Sequence, residues 1–112
     1  MKKVDLTPTF TITVMTRLNG EVNKAVSYYD LIEETLYSPP PGGITIEVMH
    51  PRLRILSMLE KAKGKNTVSF EDGDFELIHK LYKELKFMII NQGYEDFKNH
   101  LDEVAKQTDK DK

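Results

Sequence analysis

Three histidines, His50, His79 and His100, are the residues best suited to proton transfer or metal binding near neutral pH. No His-x-x-x-His or His-Glu-x-x-His run occurs, so no single element offers two imidazoles to one metal ion. His79 flanks the apolar stripe of a helix, where a boundary or surface histidine is the ordinary expectation. The enzymatic alternative pairs His79 or His50 with a distant carboxylate as acid and base. No Gly-x-Ser-x-Gly elbow is present, and Ser27, Ser38, Ser57 and Ser69 have capping, turn or surface explanations. With no cysteine there is no thiol nucleophile, disulfide, thiolate zinc site or iron–sulfur cluster. The expectation is a chain without catalytic residues, metal or cofactor.

The charged runs fit that expectation. Glu71, Asp72, Asp74 and Glu76 lack the alternate spacing, the sixth-position glycine and the twelfth-position glutamate of a calcium loop. Acids just ahead of a helix favour its positive end, which accounts for the run. Between His50 and Lys65 five basic residues face one acid, Glu60, so the local balance is +4 and the remainder carries −6. Arg52, Arg54, Lys61, Lys63 and Lys65 are therefore the candidate anion or nucleic-acid patch. No aromatic residues interleave to stack bases, and lysine near a helix C-terminus is favoured by the dipole alone. Pro41-Gly42-Gly43 lacks the lysine and spacing of a phosphate loop. Ser38-Pro39-Pro40-Pro41 reads as a rigid spacer, with a polyproline ligand as the other reading.

The elements that must position these residues follow from periodicity. Phe10, Ile12, Val14, Thr16 and Leu18 alternate with Thr9, Thr11, Thr13, Met15 and Arg17, the period-2 pattern of a half-buried strand. Asn19-Gly20 is a hairpin signal, and the return strand runs from Glu21 to about Ser27. A two-residue turn would put the two apolar sets on opposite faces. A three-residue loop, Leu18 to Gly20 with Gly20 left-handed, pairs Arg17 with Glu21, Val14 with Lys24 and Ile12 with Val26, and restores agreement. The second face, Thr11, Thr13 and Met15 with Ala25, is not plainly polar. Together with Arg17 it is the candidate partner-binding surface, unless the longest helix covers it.

Ser27 followed by Asp30 resembles a capping box for a helix over 28–37 that buries Leu31, Ile32 and Leu36. Residues 44–48 alternate as a strand, although Thr45 could instead cap a helix continuing through Ile46, Met49, Leu53 and Leu56. Proline is nearly free at the first helical position and costs about 3 kcal/mol inside a helix, so Pro51 favours a strand followed by a helix over 51–63. That helix is expected to bury Leu53, Leu56, Leu59, Ile55 and Ala62. Residues 67–70 read as extended, 75–91 as the longest helix and 94–106 as the last. Residues 107–112, with no apolar side chain, read as a solvated tail. The fold class is α+β: an N-terminal antiparallel hairpin, three-stranded if 44–48 joins it, against about four helices in one domain over 1–106.

The start Met1-Lys2-Lys3-Val4-Asp5-Leu6-Thr7, the Asn19-Gly20 turn, the run Tyr29 to Leu36 and the later run Thr67 to Ile78 resemble small proteins of tailed phages and prophages. The resemblance implies a viral setting and no site residues, since those proteins have no established activity.

Composition limits the partners. The chain has 112 residues, 39% hydrophobic and 30% charged, with a formal charge of −2, so no global basic field exists to hold nucleic acid or an anionic membrane. The longest apolar run, Phe87 to Ile90, is far short of the roughly 20 residues a spanning helix needs. The reading is a cytoplasmic, non-enzymatic protein that binds a host or viral protein or its own copy. A nucleic-acid-binding regulator using residues 52–65 is the alternative.

Overall fold

The computed structural model describes residues 2–40, 42–87 and 90–106. Eight elements follow in order: β1 (Lys2–Asp5), β2 (Thr9–Thr16), β3 (Gly20–Ser27), α1 (Tyr28–Tyr37), α2 (Ile46–Lys61), β4 (Thr67–Phe70), α3 (Asp72–Glu84) and α4 (Gln92–Ala105). The fold is α+β, as its periodicities imply, with two antiparallel two-stranded sheets, β1–β4 and β2–β3.

The small sheet joins the start of the chain to the segment just ahead of α3. Val4 pairs with Val68 and Lys2 with Phe70, and Val4, Val68 and Phe70 are all buried. β1 is the element that sequence reasoning missed, because four residues with one buried valine carry too little alternation to register. Its neighbour is α4: Asp5 N–H donates to His100 Nε2 at 3.1 Å, and Lys2 Nζ donates to the Ala105 carbonyl at 3.2 Å.

α1 forms as the capping pattern implies. Ser27 Oγ accepts from Asp30 N–H at 3.2 Å while Asp30 Oδ2 accepts from Ser27 N–H at 3.0 Å. Two orphan amides at the helix start are thereby satisfied reciprocally. The helix buries Leu31, Ile32, Thr35 and Leu36 against α2 and α3.

The strand expected at 44–48 does not form. Thr45 caps α2, its Oγ1 accepting from Val48 N–H at 3.3 Å, and Pro51 lies inside the helix. The proline removes one amide from the second turn. The carbonyl it would have bonded belongs to exposed Glu47, where solvent can take the bond, so the cost is smaller than in a buried helix. The core-facing stripe of α2 is Arg52, Ile55, Leu59 and Ala62, and Leu53, expected in the core, is 52% exposed.

α3 is shorter than its apolar stripe suggests. It stops at Glu84, and Leu85 is extended. The chain that follows brings Phe87 onto Tyr94, the rings stacked with centroids 4.2 Å apart, and against Tyr82 at 5.7 Å. Aromatic packing replaces the last helical turns expected up to Asn91; residues 88 and 89 lie outside the described set, as does the tail expected at 107–112. α4 then starts at Gln92, capped by Asn91, whose side chain accepts from Gly93 N–H at 2.8 Å. Its Phe97, Leu101 and Val104 complete a core centred on Phe70, Phe75 and Phe97. Each such side chain contributes about 1.5–3 kcal/mol of burial.

Candidate functional site

The hairpin differs from its expected register by two residues. Thr16 pairs with Gly20, Val14 with Val22, Ile12 with Lys24 and Phe10 with Val26, so Arg17, Leu18 and Asn19 form the connection. Gly20 has φ of 64°, left-handed as expected, but at the first position of the return strand. Met15 rather than Arg17 stands opposite Glu21. Facing is preserved because a shift of two keeps every side chain on its own side. The physical reason for the offset lies at both ends. Thr16 Oγ1 donates to the Gly20 carbonyl at 3.2 Å and accepts from Asn19 N–H at 3.0 Å, which closes the turn one residue early. At the base, Tyr28 is the first residue of α1, with its ring against Phe97 at 4.6 Å, and is no longer free to extend the strand opposite Phe10.

The base of the hairpin is held by the start of α4. Phe10 meets Tyr94 edge to face at 5.3 Å, and its ring lies over Gly93 so closely that a β-carbon there would collide with it. Asn91 Nδ2 donates to the Thr11 carbonyl at 2.9 Å. Ile12 and Val26 are buried; beyond them Val14 and Val22 are only partly covered, and everything further out is exposed. The burial gradient leaves the outer half of the hairpin projecting from the body.

Of the expected partner-binding residues, Thr13, Met15 and Arg17 lie in that outer half and Thr11 at the base. Thr11, Thr13, Met15 and Ala25 share the face away from the core and all are exposed, so no helix covers them. Met15 is 75% and Leu18 93% exposed. Arg17 is exposed as well, in the turn rather than on the strand. Thr13 Oγ1 donates across the face to Asn23 Oδ1 at 3.0 Å.

On its other side the β2 backbone pairs with no strand among the described residues. The Tyr28 amide donates to the Pro8 carbonyl at 3.0 Å, continuing the ladder of even-numbered β2 residues. In an antiparallel pair these alternate with residues whose N–H and C=O point the other way. The Thr11 carbonyl, taken by Asn91, is one of those, and Thr13 and Met15 follow on the same outer edge. Among the described residues no strand pairs there. β2 carries no charge, proline or bulge to discourage an added strand.

The expected basic patch is divided by the fold. Arg52 is only 5% exposed; its Nη1 donates to the Ser38 carbonyl at 2.6 Å and more weakly to the Leu36 carbonyl at 3.4 Å. It closes the C-terminal end of α1 and is withdrawn from any surface patch, a correction that follows from its place on the core stripe of α2. Arg54 pairs with the buried carboxylate of Asp74 in the first turn of α3. Lys61, Lys63 and Lys65 remain exposed around the turn after α2.

The histidines fall into three settings. His50 is exposed on α2. His79 is hydrogen-bonded through Nε2 to Asp102 Oδ1 at 2.7 Å and packs on the Phe75 ring, which ties α3 to α4. Lys98 Nζ holds the other oxygen of Asp102 at 2.8 Å. Hydrogen bonds from Lys98 and His79 hold that carboxyl at about 2, well below its ordinary value. His100 packs beside the rings of Tyr28 and Phe97, and burial pushes its pKa down against the opposing effect of Asp5. Burial likewise pushes the Tyr82 hydroxyl up, where it donates to the Tyr94 carbonyl at 2.8 Å. Among the described residues no three His, Asp or Glu side chains converge to hold a metal ion, and no helix is long and apolar enough to cross a membrane. No family model, curated protein or solved structure matches the chain.

Proposed function

We propose that this chain is a non-enzymatic binding protein that engages another protein, or its own copy, through the outer half of the β2–β3 hairpin. The observation that carries the reading is the hairpin itself: among the described residues it is anchored only at its base, and it exposes Met15, Leu18 and the threonine face beside an uncharged strand edge that no described strand pairs. An extended segment laid along that edge would gain main-chain hydrogen bonds from Thr13 and Met15, with side-chain contacts to the exposed face supplying selectivity. In keeping with the resemblance of its sequence, the proposed setting is the cytoplasm of a phage-infected or lysogenic host, with a host or viral protein as partner.

Sizing and pull-down of the pure protein, beside a Met15→Asp/Leu18→Asp variant, test this. The expected result is a discrete complex or a dimer that the variant weakens by about tenfold or more. A strict monomer that captures nothing, or a complex indifferent to the variant, would overturn it.

A further inference from the structure

We propose that the hollow between α1 and α2 is a second docking site, whose occupant is a basic amphipathic helix of a partner protein. The site is separate from the hairpin and does not depend on it.

α2 carries two stripes. One, described above, enters the core. The other, Ile46, Met49, Leu53 and Leu56, recurs at spacings of three, four and three, the seam that a second helix packs against. Ile46 is mostly exposed, Leu53 half-exposed, and Met49 and Leu56 only partly covered. α1 supplies the opposite wall with Tyr29 and Tyr37, two turns apart on one face. The hollow between Tyr29, Tyr37, Leu53 and Leu56 measures about 410 Å³, and Ile46 and Met49 continue the stripe along α2 beyond it. Ile46 to Leu56 spans about 15 Å at 1.5 Å per residue, room for about three turns of a guest helix. A stripe with helical spacing in both walls fits a helix better than an extended strand, whose side chains alternate.

Charge decides which helix. Glu33 and Glu60 line the hollow, with Lys63 at its end. Burial first, and then Glu33, Glu60 and Asp30, raise the pKa of the Tyr29 hydroxyl on the same wall. α1 contains no basic residue to offset them. A guest with leucine-like residues on one face and lysine or arginine beside them would cover the apolar seam and meet the carboxylates together. An acidic guest would bring like charges into contact.

Fluorescence anisotropy tests the proposal with two labelled peptides of about 14 residues, about four turns. One repeats leucine and lysine in heptad register, and the other replaces lysine by glutamate. The proposal expects saturable binding of the lysine peptide, at least about tenfold tighter than the glutamate peptide. Leu53→Asp, at an exposed position where circular dichroism should show the fold intact, should weaken it by about tenfold. Glu33→Gln/Glu60→Gln should remove most of the preference for the lysine peptide, whereas Met15→Asp should leave binding unchanged. Absent binding, equal binding of both peptides, or indifference to Leu53→Asp would overturn the proposal. So would a dimer that Leu53→Asp dissociates in sedimentation, since the occupant would then be a second copy of this chain.

Discussion

The ring of Phe10 rests directly on the backbone of Gly93, with no space between them for a β-carbon. Through this contact the projecting hairpin is seated on α4, beside the Asn91 bond to the Thr11 carbonyl. Gly93→Ala should therefore force the ring aside and destabilise the protein by about 1–3 kcal/mol, as overpacking does. Urea unfolding measures this. Amide exchange should also quicken in 9–16 more than in α3, and a neutral Gly93→Ala would contradict the seating.

Arg52 and the three lysines should behave oppositely. Arg52→Ala removes the donor to two carbonyls at the end of α1, and about 2–3 kcal/mol of stability should go with it, since hydrogen bonds from charged groups are the stronger kind. Simultaneous Lys61→Ala, Lys63→Ala and Lys65→Ala should change stability by less than about 0.5 kcal/mol, as exposed substitutions do. Thermal unfolding of the two variants separates the roles.

Acid should loosen the seat of β1. His100 Nε2 can accept from the Asp5 amide only while unprotonated, and burial depresses its pKa. Between that depressed value and the unfolded value near 6.5, the unfolded chain binds more protons, so stability falls as pH drops below about 6.5. Nuclear magnetic resonance should show the Asp5 amide moving with the His100 titration, at a midpoint below about 6.5. An Asp5 amide that ignores that titration would contradict the bond.

Asp102 gives a separate acid limb. Its folded pKa is about 2. The unfolded value is about 3.9, so its contribution is complete above about pH 4 and is lost as pH falls towards about 2. Because the Asp102 side chain is 32% exposed and lies at the surface, the effect should be small and should shrink with added salt. Asp102→Asn should flatten the stability profile between about pH 4 and 2, and an unchanged slope would contradict the pairing with Lys98 and His79.

Much of this architecture is written in local signals. The alternation over 9–18, the Ser27–Asp30 box and the α4 stripe of Phe97, Leu101 and Val104 depend on near neighbours, and each element forms there, although β2 ends at Thr16. Tertiary contacts decided the rest. Pro51 weighed against a helix that Thr45 nonetheless caps, because the proline falls on an exposed turn where the lost bond matters little. The α3 stripe continued past Glu84, yet Phe87 found Tyr94 and Tyr82 instead. The hairpin face of Thr11, Thr13 and Met15 was legible from alternation alone. The support from Asn91 and Gly93 was not, being some 80 residues away along the chain. Charge counting grouped Arg52 with the lysines because sequence distance says nothing of which way a helix face turns.

Site-specific crosslinking in a producing cell tests the hairpin surface most directly. A photoreactive side chain at position 15 or 18 should yield one discrete adduct, to a partner or to a second copy. The same group at exposed position 76 on α3 should yield none of it. No adduct from the hairpin, or the same adduct from position 76, would contradict the account.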